Sequence, residues 1–249
     1  GEGQRQQGKP RETYIVDEPL PHTWISEPGF NYVSADYDEG YGPDADKTVT
    51  HRRSILYLKP NIWIIKDILS PSDDQPHTYE SAFIFNTDEA TAESMCAHAS
   101  TANGPGCAIY GLGSDDSTLR IAEGERDPLR GWMPKGGDIS CCHPTPTAIY
   151  GFSGTGTVLQ SYVVTPIAAD TTSPVATVTS LPVSSTSAPA IAGRISLTDS
   201  RTIDFFQRVP GDHSQDAESD AEAGAILISA SSVVESIHLV NGSRIRRNL

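Results

Sequence analysis

The chain has 249 residues, of which 37% are apolar, and its 32 acidic against 18 basic side chains give a formal net charge of −14. A chain of this length buries a substantial core, as one large domain or two small ones. The acidic balance argues against nucleic acid as a partner, and no stretch approaches the roughly 18 consecutive apolar residues that a membrane helix needs. The sequence therefore predicts a globular protein that binds neither nucleic acid nor membrane.

Short β-rich runs dominate the chain, and helix signals are nearly absent. In chain order the runs are ETYIV, NYVSADY, RSILYL, IWIIKDIL, ESAFIF, CAIYGL, TLRIA, TAIYGF, VLQSYVV, VATVTSL, GRISL, RTIDFF, AILISA and ESIHLV. Clusters of Gly, Pro, Asn and Asp separate them at intervals close to the roughly 8–12 residues typical of a sandwich or barrel. We therefore predict an all-β fold, a large antiparallel β-sandwich with few or no helices, formed by residues 1–249 as a single domain.

Two apolar segments flank a Lys-Pro-Asn turn in HRRSILYLKPNIWIIKDILSP, residues 51–71. Both alternate sets of side chains are apolar in these segments, so the predicted hairpin is covered on both faces and lies at the centre of the fold. His51, Arg52 and Arg53 occupy one end of this rigid element, a position from which side chains can be aimed accurately. The alternative is that they only cap the strand at a solvated rim. Asp67, which interrupts the second apolar segment, is predicted to be a structural partner for a nearby cation or backbone donor.

Four cysteines are spread over the middle of the chain. Cys96 and Cys107 bracket a loop rich in Gly and Pro, a spacing that suits a disulfide across a hairpin in an oxidising compartment. The alternative is a metal site, for which the sequence offers Cys96, His98, Cys107, Cys141, Cys142 and His143. Neither segment has the C-x₂-C spacing that makes a zinc prediction specific, so we predict no metal and no cofactor in this chain.

Two segments have the composition of loops. Residues 168–193 are rich in Ser, Thr, Ala and Pro, and form either a linker or an exposed edge strand. Residues 211–224 are predicted to be an acidic loop between two strands. Calcium binding by this loop is not predicted, because the glycine and the spacing of an EF-hand loop are missing.

The segment FNYVSADYDEGYGPDADKTVTHRRSILYLKPNIWIIKDILSPSDDQPHTYESAFIF resembles the C-terminal β-domain of the heparinase II/III-like polysaccharide lyases, which include the alginate and heparin lyases. In that family a strand ending in Gly-Tyr precedes a strand led by His and Arg, a turn with proline, an apolar strand ending in Asp, and a His that opens the next strand. The matching positions here are Gly40-Tyr41, His51-Arg52-Arg53, Leu56 to Pro60, Ile64 to Asp67, and His77 before Phe83 to Phe85. RGWMPKGGD, YVVTPI and AILISASSVVESIHLVNGSRI are similar to the family's later pattern.

The resemblance implies a supersandwich-like fold and the cleavage of an anionic, uronate-containing polysaccharide by β-elimination. It also implies that the catalytic base and acid, a zinc site and an α/α-toroid belong to a segment upstream of GEGQ, so the chain is expected to be part of a longer enzyme and inactive alone. No catalytic residue is therefore assigned in this chain. Polysaccharide-degrading enzymes act outside the cytoplasm, so a secreted or periplasmic location is expected, which also favours pairing of Cys96 with Cys107.

Five residues are predicted to bind substrate, because the resemblance places their neighbourhood near the catalytic cleft: His22, Trp24, Tyr41, His51 and Arg53. Arginine pairs with carboxylate or sulfate, and aromatic rings support the faces of sugars. For Trp24 and Tyr41 the alternative is packing in the core or at its rim. The alternative for the whole chain is a non-catalytic carbohydrate-binding or scaffold module.

Overall fold

The computed structural model describes residues 21–135, 138–183, 189–209 and 221–243. These residues form twenty β-strands, and no helix among them is long and apolar enough to cross a membrane. The predicted all-β fold is confirmed. The predicted run at residues 12–16 and most of the predicted acidic loop, 211–224, lie outside the described residues.

An eight-stranded antiparallel sheet forms the centre of the molecule, with the strand order β1-β2-β3-β4-β15-β8-β7-β6. Its strands are β1 (His22–Ser26), β2 (Phe30–Tyr37), β3 (Val49–Leu58), β4 (Ile62–Pro71), β6 (Glu89–Glu93), β7 (Cys96–Ser100), β8 (Gly106–Leu112) and β15 (Val158–Ile167). Tight hairpins join β3 to β4 and β7 to β8, whereas β15 enters between β4 and β8 from far along the chain.

Two smaller sheets cover the faces of this central sheet. The five-stranded sheet consists of β16 (Val175–Leu181), β17 (Ala190–Leu197), β18 (Thr202–Arg208), β19 (Ala223–Ile228) and β20 (Val234–Val240), in chain order. The three-stranded sheet has the order β5-β14-β9 and consists of β5 (Pro76–Ile84), β9 (Thr118–Ala122) and β14 (Thr147–Thr155). Two short ribbons complete the fold: β10 (Glu125–Arg126) with β11 (Leu129–Arg130), and β12 (Trp132–Lys135) with β13 (Asp138–Pro144).

Each face of the central sheet has its own hydrophobic core. Leu56, Ile64 and Val163 of the central sheet pack with Ile195 and Phe205 of the five-stranded sheet. On the opposite face, Ala97, Ile109 and Tyr162 pack with Ala148 and Tyr150 of the three-stranded sheet. The result is a β-sandwich with three layers.

The predicted central hairpin is confirmed as β3 and β4, the third and fourth strands of the eight. Leu56 lies opposite Ile64, and both side chains are fully buried against the five-stranded sheet. Ile55 lies opposite Ile65, and because side chains alternate along a strand, this pair points to the other face. Ile55 and Ile65 are only half-buried, as are Tyr57 and Trp63 on the same face, so the predicted covering of both faces is complete only on the side of the five-stranded sheet.

The predicted disulfide between Cys96 and Cys107 is wrong, because both thiols are free in the structure. The two cysteines do lie on the two strands of one hairpin, β7 and β8, but Cys96 pairs with Tyr110 and Cys107 pairs with Ala99. Cys107 and Tyr110 are three steps apart on β8, roughly 10 Å along the strand, and point to opposite faces. The two thiols are thus too far apart, and on the wrong sides of the sheet, for a bond that needs Cα atoms within about 7 Å.

Part of the segment 168–193 is a strand. Residues Val175–Leu181 form β16 at the edge of the five-stranded sheet, paired with β17. The edge-strand alternative is therefore the one observed over these residues, while 184–188 lie outside the described part of the chain.

Candidate functional site

An open cleft of about 750 Å³ lies where β3, β4, β5 and β14 meet the loop that joins β2 to β3. Its polar lining includes Tyr41, His51, Arg53, His77, Glu80 and Arg130. Three of the five predicted site residues, Tyr41, His51 and Arg53, are therefore brought together here. The sequence places them on two different elements, and the β2–β3 connection folds back to join them.

A buried carboxylate, that of Asp67, organises the floor of the cleft. Arg53 donates two parallel hydrogen bonds to it, from Nε to Oδ1 at 2.6 Å and from Nη2 to Oδ2 at 2.7 Å. His51 donates from Nε2 to Oδ1 at 2.9 Å, and the Ser81 hydroxyl donates to Oδ2 at 3.0 Å. Asp67 itself is fully buried, so these donors replace the water that it loses. The predicted role of Asp67 as a partner for a nearby cation is confirmed.

The register of the hairpin explains this arrangement. Arg53 lies directly opposite Asp67, and His51 lies opposite Leu69, one same-face position further along. Arg52 lies between them and therefore points to the other face, where its Nη2 is 2.7 Å from Oδ2 of Asp36. The His-Arg-Arg cluster is thus divided between two faces of the sheet, and only His51 and Arg53 reach the cleft.

The local electrostatics keep Asp67 ionised. Burial alone would raise the pKa of this carboxyl, but the hydrogen bonds and charges of Arg53 and His51 outweigh burial and lower the pKa to about 2. In return, the hydrogen bonds to Asp67 raise the pKa of Arg53. The Arg53 side chain remains 40% exposed, and its guanidinium lies 5.9 Å from the centre of the Phe83 ring. Arg53 is therefore a cation that is fixed in place yet accessible from the cleft.

Strand β5 and the β10–β11 ribbon form the opposite wall. His77 Nε2 lies 2.7 Å from Asp73 Oδ1, and its ring stacks on Tyr79 with centroids 6.0 Å apart. The buried Tyr79 hydroxyl has no hydrogen-bond partner among the described residues, and burial raises its pKa, so it stays protonated. Arg130 Nη2 donates to Glu80 at 2.8 Å. Each arginine of the cleft is thus paired with a carboxylate, so recognition here depends on where the donors point more than on net positive charge.

A constrained loop places Tyr41 at the rim of the cleft. Tyr41 and Asp46 exchange two backbone hydrogen bonds of 2.8 Å, and the ring of Tyr37 meets that of Tyr41 edge-on at 5.8 Å. Gly40 has φ +92, a conformation that residues with a side chain rarely adopt. The Gly-Tyr pair seen in the sequence is therefore the point at which the chain turns to present the tyrosine.

The other two predicted residues, His22 and Trp24, lie outside this cleft, on β1 at the edge of the central sheet. Sequence reasoning did not assign Tyr79 or Arg130 to the site, and it named His77 only as the histidine that opens a strand in the family pattern. His77 and Arg130 stand in segments that carry the family resemblance, but only the pairing of β5 with β14 and the β10–β11 ribbon brings them to the cleft with Tyr79. Among the described residues no three His, Cys, Asp or Glu side chains are grouped closely enough to hold a metal ion.

Comparison with known proteins gives a family and a fold. The sequence model described as heparinase II/III-like, C-terminal, matches residues 7–158, more than half of the chain. A crystal structure of heparinase III is similar, with a TM-score of 0.55 and 12% identity over 76% of this chain and 27% of that chain. Heparan sulfate lyase HepC from Pedobacter heparinus has a TM-score of 0.54 and 11% identity, over 76% of this chain and 27% of that chain. None of the curated proteins matches the chain.

Both matches cover about three quarters of this chain but only about a quarter of the matched protein. At such low identity the likeness shows a shared fold. This chain covers only 27% of the length of either protein, so both have a large part with no counterpart here.

Proposed function

Because the chain belongs to the heparinase II/III-like C-terminal family, we propose that it is the β-sandwich part of a polysaccharide lyase that cleaves a uronate-containing chain by β-elimination. The observation that carries this proposal is the cleft in which buried Asp67 holds Arg53 and His51 beside Tyr41 and His77.

The chemistry of β-elimination needs such a cation. A base removes the proton on the carbon next to the uronate carboxylate, and an acid protonates the departing glycosidic oxygen. That proton is weakly acidic, so the negative charge that develops on the carboxylate must be stabilised by fixed hydrogen-bond donors or cations. A guanidinium suits this task because its planar donors match the two oxygens of a carboxylate.

Arg53 has the properties that this task requires. Asp67 engages Nε and Nη2, which fixes the plane of the guanidinium before any ligand arrives. The outer edge of the guanidinium, formed by Nη1 and the second N–H of Nη2, supplies the pair of donors that we assign to the uronate carboxylate. His51 is held by the same Asp67 and is mostly buried. Its assigned role is therefore to keep the carboxylate of Asp67 oriented towards Arg53.

The remaining parts of the enzyme are assigned to a segment outside this chain. We propose that an upstream α/α-toroid closes the cleft and contributes the catalytic base, the catalytic acid and the zinc site of the family. A secreted or periplasmic location follows from the proposed substrate, since long polysaccharides do not enter the cytoplasm. The free thiols of Cys96 and Cys107 give no support for an oxidising compartment.

The test uses the complete protein that contains this chain, assayed by the ultraviolet absorbance of the unsaturated uronate product on heparan sulfate and alginate. Arg53→Ala should lower kcat/KM about ten- to a hundredfold, because one charge-assisted pair is lost. Arg53→Lys keeps a cation beside Asp67, so this variant should fold even if Arg53→Ala does not. It should lose activity too, because lysine lacks the planar donors. The 249-residue chain alone should release no product.

Arg52→Ala is the matched control, because Arg52 is the neighbouring arginine, is also paired with an aspartate, and faces away from the cleft. Its kinetics should equal those of the wild type. Unchanged kinetics in both Arg53 variants would remove Arg53 from the site and favour the non-catalytic module. Strong lyase activity of the isolated chain would overturn the assignment of base and acid to another segment.

A further inference from the structure

The face of the central sheet that carries Arg53 extends beyond the cleft as an open surface. Strand register places Trp24, Val33 and Ile55 in one row across β1, β2 and β3. The next row towards the cleft contains His22, Ala35 and Arg53, which share the same face. The surface therefore adjoins the cleft without a break, and His22 and Trp24 lie on it.

Three aromatic side chains dominate this open surface, which we call the aromatic shelf: Trp24, Tyr57 and Trp63. The Trp24 side chain is 62% exposed, which is exceptional for so large an apolar group. Tyr57 and Trp63 lie opposite each other on β3 and β4, and their rings are nearly parallel, with centroids 4.5 Å apart and an angle of 9°. The Tyr57 hydroxyl donates to the Pro60 carbonyl at 2.6 Å, which fixes the ring. The pair thus forms a rigid aromatic platform beside the hairpin turn.

The charge of the shelf is unusual for this protein. In the described strands β1 to β4, Asp67 is the one carboxylate on this face, and it is buried and paired with Arg53. Asp36, the other acidic residue of these strands, points to the opposite face with Arg52. These strands therefore carry no exposed acid on this face, in a chain with a net charge of −14. An anionic chain can lie along it without repulsion from the strands beneath.

We propose that the aromatic shelf binds successive sugar rings of the polysaccharide whose uronate occupies the cleft. Flat aromatic rings present apolar area and a negative π face to the C–H groups of a pyranose, and fixed rings lose little entropy on binding. The inference rests on the proposed function for the identity of the ligand, and it adds binding positions outside the cleft. It also gives Trp24, which lies outside the cleft, a role in binding.

The test measures affinity rather than turnover, so it does not depend on the missing catalytic groups. The 249-residue chain is titrated by calorimetry with a heparan sulfate hexasaccharide and with an alginate hexasaccharide. Tryptophan emission is followed in parallel, since two of the three tryptophans, Trp24 and Trp63, lie on the shelf. Trp24→Ala should weaken binding by about two- to tenfold and reduce the emission change. Trp63→Ala should weaken binding to a similar degree.

Ile237→Ala is the control, because Ile237 is an apolar residue on β20 that is 50% exposed and remote from the shelf. Its affinity should match the wild type. The proposal is overturned if neither hexasaccharide binds, as expected when the shelf is instead an interface for another polypeptide. It is equally overturned if both tryptophan variants bind as tightly as the wild type. Loss of affinity in Trp24→Ala together with unchanged turnover in the Arg53 variants of the complete protein would contradict the proposed function and leave the shelf intact.

Discussion

Asp67 sets the positions of two neighbouring side chains through one carboxylate. The sequence predicted its structural role, since a charged residue inside an apolar strand must find a partner when it is buried. What the sequence could not provide was the identity of the donors, because Ser81 reaches Asp67 from a strand of a different sheet. The division of the His-Arg-Arg cluster between two faces follows from simple alternation, and could have been stated from the sequence.

We predict that Asp67→Asn lowers the free energy of unfolding by about 2 kcal/mol at pH 7, because charge-assisted hydrogen bonds are lost. The folded-state pKa of Asp67 is depressed from 3.8 to about 2, so its contribution to stability is present above pH 4 and disappears as the pH falls to about 2. The difference in stability between wild type and variant should therefore shrink over that range. Denaturant unfolding at pH 7, 4 and 2.5 measures it.

Asp36→Asn is the control for this experiment, because Asp36 pairs with Arg52 at the exposed surface, where an ion pair contributes about 0–1 kcal/mol. A difference between Asp67→Asn and wild type that stays constant from pH 7 to 2.5 would contradict the assigned pKa.

At the scale of strands, prediction succeeded where a strand carries a run of large apolar or β-branched side chains, at edges as well as in the middle of a sheet, and failed where it does not. All the predicted runs that fall within the described residues are strands. The strands without such a run include β1 (HTWIS), β6 (EATAE) and β7 (CAHAS), in which large apolar side chains do not alternate. The cysteine hairpin shows a related limit, since the sequence indicated the hairpin but not its register, and the register decides whether a disulfide forms.

The loop between β2 and β3 offers a test at this scale. We predict that Gly40→Ala lowers the free energy of unfolding by about 1–3 kcal/mol, because an added Cβ combines a left-handed φ with a clash 2.5 Å from the carbonyl oxygen of Ala45. Gly156→Ala is the matched control, because Gly156 has φ +72 and nothing within 4 Å of an added Cβ. Urea unfolding should show a clearly larger loss of stability for Gly40→Ala than for Gly156→Ala. Equal losses would mean that the loop rearranges to relieve the clash.

For the whole molecule, the sequence predicted a sandwich but not three layers. Runs such as VATVTSL and TAIYGF are both β-rich, and nothing local tells which belongs to which sheet. The assignment depends on pairings between distant strands, such as β4 with β15.

A buried polar group connects two layers of the sandwich: Lys66 Nζ donates to the Arg208 carbonyl at 2.9 Å and lies 3.3 Å from Glu222. Glu222 also accepts a 2.6 Å hydrogen bond from Tyr32.

We predict that Glu222→Gln lowers the free energy of unfolding by about 3 kcal/mol, because it leaves the charge of Lys66 buried without a counter-ion. Burial already lowers the pKa of Lys66, although the charge of Glu222 opposes this, so the protonated amine weakens the fold. The stability of this variant should therefore rise with pH as Lys66 loses its proton.

The double variant Lys66→Met/Glu222→Gln should recover a large part of the loss, since it removes both charges from the interior. A cycle of the two single variants and the double variant, unfolded in guanidinium at pH 7, measures the coupling. Additive losses would contradict a direct interaction between the two layers through this pair.

The three-layer arrangement leaves an apolar surface exposed while the protein is being synthesised. The ribosome completes the β3–β4 hairpin before the five-stranded sheet that covers Leu56 and Ile64, which begins at Val175, about a hundred residues later. Until that sheet emerges, one face of the nascent hairpin is an apolar surface open to other chains. Packing between segments so far apart in the sequence also forms slowly. We therefore expect expression at lower temperature or with added chaperones to raise the soluble yield, because both protect this surface until the covering sheet has been made.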